Sequence, residues 1–171
     1  MKRNSMTMLT GALLCVSAVR AENAHFAEGK QAFTSIKNNL IQMAESMPEE
    51  NYDFKPAPEI RSFREMVGHV ANAQSYFCGM VSAQKNAVKA DPKASKAQLV
   101  SALKDTSSFC EAAWDGLTDE SAAETVPMGK MQRSKVGVLT MNNLHDSEEY
   151  GYMAVYLRLK GVVPPSTANS K

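Results

Sequence analysis

The stretch VGVLTMNNLHDSEEYGYMAVYLRLK, residues 136–160, decides the fold. It runs for several helical turns without a proline. Met141, Leu144, Tyr152, Val155 and Leu159 recur at threes and fours, which predicts a helix with one apolar stripe. Gly161 follows where a helix commonly turns left-handed to end, and Pro164-Pro165 forbid its continuation.

Three further helices read outward from it. Over residues 24–47, Phe26, Phe33, Ile36, Leu40, Met43 and Met47 keep the same period until Pro48 closes the run. Residues 49–60 hold Pro56 and Pro58 and read as an extended connection. Ser62, with Glu65 three residues on, predicts a capping box in which two orphan backbone donors are satisfied. The helix it opens carries Phe63, Met66, Val67, Val70, Phe77 and Val81 on its apolar face. Asp91-Pro92 breaks the chain again, and Ser95 with Gln98 opens a helix marked by Leu99, Leu103, Thr106, Cys110, Ala113 and Leu117. Residues 118–135 have no helical period and read as a long irregular crossover with room for a short extended piece. No strand pattern of comparable length competes. The fold class is all-α, a four-helix bundle, with both up-down and crossover topologies open.

The start of the chain reads as a processing signal. Lys2 and Arg3 precede an uncharged apolar run over residues 6–19, and Val19 and Ala21 suit the −3 and −1 positions of a signal-peptidase site. The expected organisation is a signal peptide at 1–21, the bundle at 22–165 and a disordered tail at 166–171; an uncleaved interfacial anchor is the alternative. The run is too short for a membrane span. Cleavage removes Lys2, Arg3 and Arg20 from 19 basic residues, leaving 16 against 18 acidic ones. Nothing in that balance suits nucleic acid. The expected location is periplasmic or secreted. Of three cysteines, Cys78 and Cys110 survive cleavage, and an oxidising compartment permits one bond between them. Both are expected near mid-bundle, at comparable heights whichever way the helices run, so a disulfide is expected; two buried free thiols are the alternative.

Two segments carry a family likeness. The first is Tyr52-Asp53-Phe54-Lys55-Pro56-Ala57-Pro58, with Arg61-Ser62-Phe63 and Val67-Gly68-His69-Val70. The second is His145-Asp146-Ser147-Glu148-Glu149-Tyr150-Gly151, with Tyr156-Leu157-Arg158-Leu159-Lys160-Gly161 and Val163-Pro164-Pro165-Ser166. Together they resemble the DinB family of metal-binding bundles, over essentially the whole chain after residue 21. The resemblance implies three histidines around one divalent ion: one from the second helix and two, four residues apart, from the fourth. His69 and His145 match the first two, and Glu149 stands at the third.

Residues four apart share a helix face, so His145 and Glu149 can address one ion. Two imidazoles and a carboxylate suit zinc, nickel, manganese or iron and leave coordination positions open. Glu148, three residues from His145, competes with Glu149 for the role. Two half-buried histidines and a solvated acid would give the same residues with no metal. The resemblance implies small-molecule chemistry, since relatives include thiol-dependent transferases and isomerases. For an exported member, lacking the cytoplasmic thiol, metal-assisted hydrolysis or transfer on a small molecule is the expectation. A non-catalytic envelope bundle with a degenerate site is the alternative. A homodimer is compatible with such a bundle.

Overall fold

A computed structural model of the chain describes residues 16–82 and 88–168, with side chains from residue 26 onward in the first helix. Residues 1–15, most of the expected signal segment, lie outside the described residues, as does the end of the tail at 169–171. Among the described residues no helix is long and apolar enough to cross a membrane.

The elements are α1 (Val16–Ser46), α2 (Phe63–Val81), α3 (Lys96–Asp115), α4 (Asp119–Ala123), β1 (Thr125–Met128), β2 (Met131–Ser134), α5 (Lys135–Leu159) and α6 (Pro165–Ala168). A 3-10 turn, Glu49–Asn51, follows Pro48. The four long helices, α1, α2, α3 and α5, form the bundle. Both predicted capping boxes close: Ser62 and Glu65 satisfy each other's backbone N–H at the start of α2, and Ser95 and Gln98 do so at α3.

Side-chain pairs fix the helix directions. Lys37 pairs with Glu111 at 2.5 Å and Glu45 with Lys104 at 2.6 Å, so α1 and α3 are antiparallel. Gln74 meets Thr106, and Cys78 meets Cys110, so α2 and α3 run parallel. His69 lies by Glu149 and Gln74 by Asp146, so α5 is antiparallel to α2. Around the bundle the order is α1, α3, α2, α5, and the sequence-adjacent α1 and α2 are diagonal. Parallel α2 and α3 need a return strand of chain. Residues 88–95 supply its end, tied to α2 by paired hydrogen bonds between the Asn72 side chain and the Ala90 backbone at 3.0 and 2.9 Å.

The crossover holds more order than its lack of helical period suggested. Thr118 caps the single-turn α4, and β1 pairs antiparallel with β2. Gly129, at φ +62°, opens their two-residue turn, where a left-handed residue costs glycine little. Pro127 fits because a two-stranded ribbon leaves each strand an unpaired edge. Residues 166–168 of the expected disordered tail instead join α6, held by the Arg158 guanidinium donating to the Thr167 hydroxyl and by hydrogen bonds between Ser166 and Tyr150.

The stripe expected on α5 is on the wrong face. Leu144, Tyr152, Val155 and Leu159 are 66, 53, 51 and 58% exposed. The buried line is Val138, Leu139, Asn142, Asp146, Glu149, Met153, Ala154, Tyr156 and Leu157. This line has the same helical period, but its centre is polar. It divides the interior into two apolar clusters. One gathers Leu40, Met43, Val67, Val70, Leu103 and Met153. The other gathers Phe33, Cys78, Cys110, Trp114 and Leu139.

The six-membered ring of Trp114 packs against Gly29 of α1. A Cβ there would lie 2.6 Å from the ring's Cη2, inside any tolerable contact. Gly29→Ala is expected to lower stability by about 1–3 kcal/mol through overpacking, read as a lower urea midpoint. An unchanged midpoint would mean the ring is free to move aside.

Candidate metal centre

Between the two apolar clusters lies a polar layer built from α2, α3 and α5. Its buried members are Gln74, Thr106, Ser107, Asn142, Asp146 and Glu149. On its outer edge α2 places His69 and α5 places His145, with side chains 30 and 20% exposed, against 8% for Glu149. The helix period does the placing: Glu149 is one turn beyond His145, and antiparallel α2 brings His69 opposite both.

The three ligand atoms converge. The two Nε2 atoms are 3.1 Å apart, and Glu149 Oε1 lies 3.3 Å from His69 Nε2 and 3.6 Å from His145 Nε2. An ion with bonds of about 2.0–2.2 Å needs its ligand atoms roughly 3.0–3.5 Å apart, so this triangle accepts a divalent cation with little adjustment. One further observation fits such an ion: Glu149 Oε2 is buried without a hydrogen-bond partner. The residues present therefore form a set that could hold a metal ion.

Glu148 does not join them. It is exposed, and its carboxylate accepts the Tyr152 hydroxyl at 3.0 Å. Asp146, by contrast, is fully buried behind His145. Its Oδ2 accepts from Gln74 Nε2 at 2.9 Å and from Asn142 Nδ2 at 3.1 Å. Gln74 Oε1 in turn accepts from Thr106 and Ser107 hydroxyls at 2.9 and 3.1 Å. The other oxygen, Asp146 Oδ1, faces His145 Nδ1 at 3.7 Å, and both atoms are buried without a hydrogen bond. A small approach satisfies both, puts the proton on Nδ1 and leaves the Nε2 lone pair for an ion. Gln74, Thr106, Ser107 and Asn142 were not among the residues the sequence nominated. The available signal was Gln74, a polar residue on the inward line of Val67, Val70 and Cys78.

The same contacts split the two histidines. Asp146 beside Nδ1 holds His145 above the ordinary histidine range despite its burial. Burial, then the Arg61 charge, holds His69 below it. Burial pushes Asp146 above the usual carboxylate range against the pull of His145 and Gln74. In Asp146→Asn the amide oxygen stays with the Gln74 and Asn142 donors, so the NH2 faces Nδ1 and forces the proton onto Nε2. That variant is expected to bind divalent metal about 10–100-fold more weakly, by calorimetry. In the metal-free protein its His145 should titrate lower than in wild type, by histidine NMR. Metal binding unaltered by the change would sever Asp146 from the centre.

An open cavity of about 630 Å³ adjoins Glu149, lined by residues of the 56–61 connection, by Met66 of α2 and by Glu149, Tyr152, Val155 and Tyr156 of α5.

A helical bundle with a two-histidine, one-carboxylate cluster on its central polar layer is the class that fold and site define. The sequence matches the DinB superfamily over residues 32–153, and the chain belongs to that superfamily. Its fold is similar to that of a DinB-like protein from Bacillus subtilis: 21% identity, TM-score 0.65, covering 78% of this chain and 92% of that one. It is also similar to a DinB-like protein from Bacillus cereus ATCC 10987: 14% identity, TM-score 0.64, covering 79 and 92%. No curated protein matches the chain.

Proposed function

We propose that His69, His145 and Glu149 hold one divalent ion, zinc, nickel, manganese or iron, and that this exported DinB-like protein uses it for hydrolysis or transfer on a small molecule. The observation that carries the reading is the convergence of three ligand atoms, all within 4.8 Å of one another, beside an open cavity. Such an ion supplies Lewis acidity to whatever occupies that cavity. The chain's own residues hold and orient it: His69 and His145 through Nε2, Glu149 through its carboxylate, and Asp146 by fixing the His145 proton on Nδ1. Elemental analysis of protein purified without a histidine tag tests the reading. One equivalent of metal in wild type and markedly less in His145→Ala supports it.

Export is supported by the charged start and apolar run, and by a disulfide, which persists in oxidising compartments. Mature protein recovered from the cell envelope should begin near Glu22, and an intact Met1 would sink the idea. Glu149 in place of a third histidine favours one alternative, a non-catalytic envelope bundle with a degenerate site. Wild-type protein without metal, together with a Glu149→His variant that acquires it, would select that alternative.

A further inference from the structure

The cavity beside Glu149 has walls that select a ligand. Ile60, Met66, Val155 and Tyr156 give it an apolar lining. Its charged groups are Glu149 at the inner end and Glu59 and Arg61 toward the opening. Glu149 is directed at the two histidines, at 3.3 and 3.6 Å. The Arg61 guanidinium has no hydrogen bond or ion pair among the described residues. Arg64, one turn on, pairs with Asp53 at 2.7 Å and Glu49 at 3.7 Å. The Arg61 backbone is nevertheless held in place. The Tyr156 hydroxyl donates to its carbonyl at 2.7 Å, and Ser62, the next residue, caps α2. An anchored backbone presenting an uncommitted guanidinium to an apolar cavity matches the planar fork of a carboxylate better than any neutral group. An ion held by two neutral imidazoles and one carboxylate would leave a net positive charge at the inner end and add to the same preference.

We propose that this cavity takes a small molecule with an apolar body and a carboxylate, the carboxylate held by Arg61 and the body packed on Ile60, Met66 and Val155. The assignment as a substrate class rests on the metal-centre reading; the recognition by Arg61 does not. Glu59, exposed on the same rim, opposes a ligand carboxylate and confines it to the Arg61 side.

Calorimetric titration with phenylbutanoate and phenylbutanol, which share an apolar body and differ in the charged end, tests this on tag-free protein of measured metal content. Wild type should bind the acid about tenfold more tightly than the alcohol. Arg61→Gln, a change at an exposed side chain, should abolish that ratio and leave alcohol binding within about twofold. Arg61→Lys should restore part of it, since an ammonium keeps the charge and loses the fork. Because the Arg61 charge acts on His69, metal content is measured for wild type and Arg61→Gln alike, and repeating the comparison on stripped protein removes any metal contribution, so a failed metal site does not disturb it. Equal binding of acid and alcohol by wild type would overturn the proposal. So would an acid preference that survives Arg61→Gln, or the absence of saturable binding of either probe.

Discussion

Alanine at position 145 is expected to lower the affinity for a divalent ion on the order of a hundredfold. Four protein ligands give apparent zinc-binding energies of about 10–16 kcal/mol in small metal-dependent domains, so one ligand accounts for roughly 3 kcal/mol, close to a hundredfold. His145 should lie at the upper end, because its loss also strands the groups behind it. Asp146, fully buried, would keep Gln74 and Asn142 and lose its imidazole. His69→Ala removes one ligand without that consequence and should show the smaller effect. Calorimetry on the two variants measures the difference. Equal affinities in wild type and His145→Ala would mean the ion binds elsewhere.

Breaking the bond between Cys78 and Cys110 is expected to lower stability by about 3–4 kcal/mol. The bond closes a loop of 32 residues between helices whose Cα atoms stand 5.2 Å apart, well within bridging range. It staples the parallel pair α2 and α3 one turn beyond the layer that holds Gln74, and Cys110 Sγ lies 3.4 Å from the Gln74 carbonyl oxygen. For a chain of this length the loss corresponds to a fall in Tm of about 10 °C. Urea unfolding with and without reductant measures it, with the Cys78→Ser, Cys110→Ser double variant as reference. Identical midpoints with and without reductant would show that the wild-type cysteines are free.

Much of the bundle was legible because each helix carries its own local signals. Ser62 with Glu65 and Ser95 with Gln98 announce helix starts, and Gly161, at φ +72°, announces an end. The apolar stripes of the first three helices bury as their spacing implies, with Phe33, Leu40, Val67, Val70, Leu99 and Leu103 all inside. On α5 the same reasoning chose the wrong face. Two lines of equal period compete there, and the more apolar one is exposed. The buried line carries Asn142, Asp146 and Glu149 because each of these side chains meets a partner through one of its atoms, from another helix or from a neighbour within the layer. Such partners are invisible to a single-helix pattern.

The three candidate ligands were legible from spacing and resemblance. The choice between Glu148 and Glu149 was not, because both fall within one turn of His145 and only the rotation of α5 separates them. The cysteines were paired from comparable heights in their helices. Cys78 and Cys110, the sixteenth residue of α2 and the fifteenth of α3, meet because those helices run parallel. An antiparallel pair of that length would have set them apart. Helix direction depends on where the connections travel, and the return of residues 88–95 along α2 is a tertiary event.

Everything proposed for the centre depends on one divalent ion at His69, His145 and Glu149. Its most direct test is calorimetric titration of stripped, tag-free protein with zinc, nickel, manganese and ferrous ions, beside the same titration of Glu149→His. The expected result is one equivalent bound by wild type, and tighter binding of the later metals by Glu149→His, because imidazole is their better ligand. Failure of all four ions to bind either protein would contradict the account.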